Sequence, residues 1–304
     1  MKIKTIERNI NEKFENWVKT IKNETVKKLV IENTILTGGS ICSMLLNEPV
    51  NDYDFYFKNK ETTLAVANYY VDLYLSKNAS KHLNGIPINI KVIECDDRIK
   101  IMIKSAGAAS ETSRDNYQYF ESRTDIDNSA QEYVSDLTCA FDKTKKENVY
   151  LPIFLSGNAI TLSDDVQLVI RFFGDPETIH ENYDFKHCTN YWESSTKKVV
   201  ANTEALLCIL GKELKYMGSK YPIASLFRIR KFIKRGWNIT AGQILKIVMQ
   251  LKQFDLNNMS VLEEQLIGVD VAYFHEIIEK LRQSNTSNDK IDDTYLAQLI
   301  DEMF

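Results

Sequence analysis

The chain has 304 residues, enough for one large domain or two ordinary ones with a substantial buried core. Its 38 Lys and Arg stand against 42 Asp and Glu, a net charge of −4, so no global attraction to polyanions exists and any nucleic-acid contact must come from a local patch. No apolar run approaches the roughly 20 residues of a membrane span, the start MKIKTIERNI has no signal-peptide pattern, and the five cysteines (Cys42, Cys95, Cys139, Cys188, Cys208) form no C-x-x-C pair, which points to reduced thiols in a cytoplasmic protein.

The spacing of Ile6, Ile10, Phe14, Trp17, Ile21 and Leu29 predicts one amphipathic helix over residues 4–31. ENTILTGGSICSMLL then reads as a short apolar strand at Ile35-Leu36, a turn at Gly38-Gly39-Ser40 and a helix. Asn47-Glu48-Pro49 marks a turn. In NDYDFYF, Asp52, Asp54 and Tyr56 alternate with Tyr53, Phe55 and Phe57, the period of a strand. A helix is expected over 61–77 and β-rich runs over 86–93 and 98–103, joined by a turn at Cys95-Asp96-Asp97. Residues 104–131 are polar, show no period and read as a loop. Strands over 149–155, 159–162 and 166–173 follow, the last broken by Gly174-Asp175-Pro176. From about residue 202 helical spacing takes over, in NTEALLCILGKEL, SLFRIRKFIKRGW, AGQILKIVMQL, SVLEEQLIGV, YFHEIIEKLRQ and DTYLAQLIDEMF, with SNTSNDK as a polar linker. The expected fold class is α+β: a mixed sheet with helices over 1–195, then an all-helical domain over 196–304 that closes one side of a cleft.

Two carboxylates one residue apart on a strand project to the same face, so Asp52 and Asp54 can hold a divalent cation with oxygen ligands, Mg2+ or Mn2+. A glycine turn entering a helix offers backbone N–H groups and a positive dipole end to a phosphate. Gly38 and Gly39 permit close approach and Ser40 adds a hydroxyl. A phosphate cradle beside metal-binding carboxylates is the minimal kit for nucleotidyl transfer from a nucleoside triphosphate.

The stretch LTGGSICSMLLNEPVNDYDFYF resembles the signature of the polymerase-β-like nucleotidyltransferase superfamily, in which a Gly-Gly or Gly-Ser turn precedes an Asp-x-Asp strand by about a dozen residues; here eleven lie between Ser40 and Asp52. It is most similar to the head domain of the CCA-adding and poly(A) polymerase branch, whose Gly-Gly, Val-Arg-Asp, Leu-Leu-Gly and Asp-x-Asp run in that order. Leu45-Leu46-Asn47 stands where Leu-Leu-Gly falls, and Ile41-Cys42-Ser43 replaces Val-Arg-Asp, so the Arg and Asp of that branch are missing here. Other stretches, SGNAITLS, NYDFKHCTNYW and QLIGVDVAYF among them, are similar to nucleotidyltransferase-like proteins of large tailed phages.

The resemblance implies a third acid from a neighbouring strand. Asp184, set between aromatics in NYDFKHC, is the first choice and Glu94 the second, although the one can cap a helix and the other can simply be exposed. His187 beside Cys188 reads as a structural histidine. From Lys197 to Arg235 ten Lys/Arg stand against two Glu, a local charge of +8. Helical spacing puts Arg228, Lys231 and Arg235 on one face, where they can grip a triphosphate or the RNA backbone, or form an ordinary solvated face. Two functions follow: a metal-dependent transferase acting on an RNA, protein or small-molecule acceptor, or an inactive nucleotidyltransferase-fold module that binds nucleotide, nucleic acid or a protein partner.

Overall fold

The computed structural model of the protein describes residues 1–78, 82–83, 86–95, 98–105 and 150–256, together with 258, 261, 262, 265, 294 and 297. Helix α1 runs Ile3–Thr20 and α2 runs Glu24–Asn33, so the single helix expected over 4–31 is two. The break has a local cause. Asn23 leaves helical geometry and its side chain accepts hydrogen bonds from Thr25 N and Val26 N, a cap that starts α2 afresh and contributes about 1 kcal/mol.

The chain continues through strand β1 (Thr34–Thr37), helix α3 (Gly39–Leu46), β2 (Tyr53–Phe57), α4 (Lys60–Asn78), β3 (His82–Leu83), β4 (Ile86–Glu94) and β5 (Ile99–Ser105). After residue 150 come β6 (Pro152–Leu155), β7 (Ala159–Leu162), β8 (Val166–Phe173), a short helix α5 (Pro176–His180), one 3-10 turn (Lys186–Cys188), β9 (Tyr191–Glu193) and β10 (Lys198–Val200). Helices α6 (Thr203–Gly211), α7 (Pro222–Lys234) and α8 (Ala241–Leu251) follow. The class is mixed α and β with a helical C-terminal region, as the sequence implies. The expected loop begins two residues late, since Lys104 and Ser105 end β5; its remainder lies outside the described residues, as do the helices expected beyond 260 apart from the helical residues 261, 262, 265, 294 and 297.

Seven strands form one mixed sheet in the order β10-β9-β1-β2-β8-β7-β6, and β3-β4-β5 form a second. β1 and β2 are antiparallel neighbours, with Ile35 opposite Tyr56 and Leu36 opposite Phe55, so the end of β1 stands level with the start of β2. β2 lies parallel to β8, Asp54 opposite Gln167.

One face of the sheet carries the main core. Leu36, Phe55, Leu168, Ile170 and Trp192 pack there against Ile6, Ile10, Phe14 and Trp17 of α1 and Val66, Ala67 and Tyr70 of α4. The Trp17 ring stacks on Phe55 at 5.0 Å and its Nε1 donates to Tyr70 Oη at 2.7 Å. The opposite face, carrying Ile35, Tyr56 and Val169, is covered by Ile179 of α5 and by Tyr183 and Tyr191. A second cluster joins α3 to the helical region: Cys42 and Phe185 pack with Ile209, Leu214, Tyr216, Ile229, Trp237 and Ile247. No helix among the described residues is long and apolar enough to cross a membrane, and the described cysteines Cys42, Cys95, Cys188 and Cys208 are free thiols.

Candidate active site

The glycine turn sits where β1 ends. Gly38 has φ 101°, a conformation open to glycine and strained for other residues. Its N–H donates to the Cys188 carbonyl at 3.2 Å, and Gly38 is the N-cap of α3. A Cβ on Gly38 would lie 3.4 Å from Tyr183 Oη and 3.5 Å from Asp54 Oδ2, whereas nothing comes within 4 Å of a Cβ on Gly39. The turn therefore has the Asp54 carboxylate on one side and open space on the other. Helix α3 ends at Asn47 in the left-handed region, φ 57°, with its N–H on the carbonyls of Met44 and Ser43. Asparagine thus fills the terminating role that glycine commonly has, which explains why Leu45-Leu46-Asn47 stands for Leu-Leu-Gly.

Asp54 is the second residue of β2; Asp52 precedes the strand and is exposed. Burial holds the Asp54 carboxyl well above the usual carboxylate range, and the charge of Asp52 raises it further. One exposed and one half-buried carboxylate that repel each other beside a glycine turn are a donor set suited to a divalent cation. Around them stand groups the sequence reading did not single out. Thr37 Oγ1 lies 2.8 Å from His180 Nε2 and 3.0 Å from the Asn190 carbonyl. The His180 ring packs on Tyr183 and Tyr191, with centroids 5.2 and 6.0 Å away, and burial lowers its pKa to about 4. Burial also raises the phenols of Tyr56 and Tyr183. Tyr183 Oη makes no well-formed hydrogen bond, although Tyr56 and Thr37 are near enough to influence it. The only sequence signal for this cluster is the aromatic company of Asp184.

The remaining expected residues divide. Ser40 follows the turn, but it is buried and its hydroxyl has no partner, so here it faces the protein. Asp184 is buried and ion-paired with Arg228, its Oδ1 left without a hydrogen bond. Glu94 ends β4 in the separate sheet and pairs with Lys60 at 2.7 Å. Opposite Asp54, β8 presents Gln167 and not a third acid. Among the described residues no group of three or more His, Cys, Asp and Glu is placed to hold a metal.

Within the basic segment Arg228 takes Asp184, and Arg235 and Lys212 take Glu48 at 2.5 and 3.3 Å. Arg235 foremost holds Glu48 below the usual carboxylate range. Two of the three cations expected to grip phosphate thus tie the helical region to the α3–β2 connection and to the loop after α5, while Lys231 is exposed. Arg228 nevertheless pairs with Asp184, the residue after Tyr183, whose Oη lies against Gly38, so α7 flanks the same neighbourhood. His187 is structural, buried against Phe232 and Trp237 at 4.7 and 4.4 Å, with neither ring nitrogen hydrogen-bonded.

The structure thus sets a glycine turn that opens a helix beside the Asp-x-Asp strand of a mixed sheet. Residues 8–210 match the family described as Gabija anti-defense 2 family protein, and the chain belongs to that family. Gabija anti-defense 2 of Bacillus phage SPbetaL7 is 21% identical over 170 residues, which cover 54% of this chain and 40% of that protein. The chain thus spans less than half the length of this relative. Among solved structures, the Thermotoga maritima CCA-adding enzyme complexed with tRNA is similar with a TM-score of 0.42 and 8% identity, over 90% of this chain and 56% of that one. A CCA-adding enzyme with CTP gives 0.39 and 9%, over 95% and 52%. Both likenesses are distant.

Proposed function

We propose that this chain is a metal-dependent nucleotidyltransferase-type protein that serves phage counter-defence against Gabija. Asp52 and Asp54 would hold Mg2+ or Mn2+, and the Gly38-Gly39 turn would take the phosphates of a nucleoside triphosphate. The observation that carries the reading is the approach of Asp54 Oδ2 to Gly38, which brings the acid and the phosphate turn into one site. The cation would screen phosphate charge and align the triphosphate. The protein's own part is to present N–H groups from the start of α3, keep Asp54 beside them, and bound the site with Tyr183 and His180. RNA, protein and small molecules all remain candidate acceptors. The test is incubation of the full chain with each α-labelled nucleoside triphosphate, Mg2+ or Mn2+, and total cellular RNA and protein. Label transferred by the wild type and lost in Asp54→Asn supports the reading.

A second reading is an inactive module that binds nucleotide without transferring it. Gln167 opposite Asp54, and the engagement of Asp184 by Arg228, favour it. Metal-dependent triphosphate binding with no transferred label would select this second reading.

A further inference from the structure

Arg171 of β8 and Lys220, which precedes α7, meet over one aromatic ring. The Arg171 guanidinium carbon lies 5.2 Å from the centroid of Phe172, and Lys220 Nζ lies 5.5 Å from the same centroid. Arg171 also stands 5.2 Å from the Tyr221 ring, and its Nη2 donates to Tyr221 Oη. Its Nε is buried without a hydrogen-bond partner. Neither cation has a carboxylate partner among the described residues, whereas Arg228, Arg235, Lys212, Lys215 and Lys186 all do. Two positive groups gathered on one ring with no counter-charge repel each other, and an anion bound between them would offset that repulsion.

We propose that Arg171, Lys220 and Tyr221 form a phosphate-binding subsite for a nucleotide or a single-stranded nucleic acid, separate from the Gly38 turn. Along β8, Val169 belongs to the Tyr56 face of the sheet, and Arg171 follows it where the strand bulges, with Ile170 N and Arg171 N both donating to the Asn158 carbonyl. Arg171 stands four positions along β8 from Gln167, which lies opposite Asp54, with the bulge between them, a separation on the order of 10 Å. That span suits a phosphate one or two nucleotides away from a group held at Asp54. The aromatic rings beside the cations add the stacking surface that single strands favour. The subsite does not depend on transfer chemistry and stands if the chain proves to be a binding module only.

The test measures binding of the full chain to a fluorescein-labelled 12-nucleotide single-stranded RNA by anisotropy across a salt series, with ATP and inorganic phosphate as competitors. The wild type is compared with the double variant Arg171→Gln/Lys220→Gln, with Lys220→Gln alone (an exposed position that leaves folding intact), and with Lys4→Gln on α1 as a control. A weaker RNA complex in the double variant, with a salt slope shallower by about 1.4, and a smaller loss in Lys220→Gln, establish the subsite with a strand as its source. Loss confined to ATP or phosphate binding assigns it to a free nucleotide or phosphate. Binding equal to wild type in both variants, losses no larger than in Lys4→Gln, or no binding of any probe by the wild type, overturns the proposal.

Discussion

Asp54 approaches the backbone of Gly38 so closely that a Cβ placed on Gly38 would lie 3.5 Å from Asp54 Oδ2, while a Cβ on Gly39 would meet nothing within 4 Å. The two glycines therefore do different work. Gly38 is required by its positive φ, and Gly39 leaves room.

Gly38→Ala should cost about 1–2 kcal/mol, chiefly from forcing a side chain into the left-handed region. Gly39→Ala, in helical backbone, should keep stability within about 0.5 kcal/mol of wild type. Its methyl would enter the space a phosphate needs, so triphosphate affinity measured by calorimetry should fall. Equal affinity in Gly39→Ala and wild type would remove the turn from the phosphate site.

Asp54→Asn removes a charge that burial and Asp52 both disfavour. The variant should melt at the wild-type temperature or above it while losing Mg2+-dependent binding of the triphosphate. A clear drop in Tm would mean that the carboxylate serves the fold and not a ligand.

The Asp184–Arg228 pair gives a test of the third-acid expectation. Asp184 is buried and Arg228 is 40% exposed, so the costs are unequal. Arg228→Ala strands a buried carboxylate and should destabilise by about 3 kcal/mol, Asp184→Asn by less, and the double variant should cost less than the sum. If the pair is structural, any loss of transfer in Asp184→Asn should match the loss of folded protein. A larger loss at full folding would restore Asp184 to the catalytic set.

The turn, the acid strand and their adjacency were legible because each has a local signature: consecutive glycines, a two-residue alternation, and a short connection that favours neighbouring strands. The break between α1 and α2 was hidden because apolar spacing runs through it and only Asn23 marks it, by a cap that a periodicity argument passes over. The His180, Tyr183 and Tyr56 wall could not be read. Its members come from α5, a loop and β2, and only tertiary packing brings them to Gly38. The fate of the basic segment was equally invisible, since a charge count does not reveal that Glu48, more than 180 residues earlier, answers Arg235.

His187 should make stability pH-dependent. Burial foremost, and Arg235 second, lower its pKa to about 3 against an ordinary 6.5. The native state then binds fewer protons than the unfolded state between these values. Its contribution is fully present above pH 6.5 and is lost as pH falls through 3. Thermal melts from pH 7 to pH 4 should show Tm falling, and His187→Phe should flatten the profile. His180, lowered to about 4, and carboxylates held low by a cation, Glu48 among them, add to the slope that remains. An unchanged profile in His187→Phe would show that the ring is not held neutral.

The N-terminal helix is part of the site's support and not an appendage. Trp17 is fully buried, stacks on Phe55 and donates to Tyr70. Phe55 lies between Asp54 and Tyr56 on the strand, so Trp17 backs the segment that presents the acid. Trp17→Phe keeps a ring on Phe55 but strands Tyr70 Oη and should cost about 1–2 kcal/mol. Trp17→Ala opens a cavity and should cost about 3–5 kcal/mol. Denaturant melts give the stabilities, and calorimetry at a temperature where Trp17→Phe is fully folded gives the triphosphate affinity. The expected result is a modest affinity loss in Trp17→Phe and no cooperative fold once residues 1–22 are removed, because Phe14, Trp17 and Ile21 leave the core together. A folded, ligand-binding chain that lacks α1 would show that the strand holds Asp54 in place without this backing.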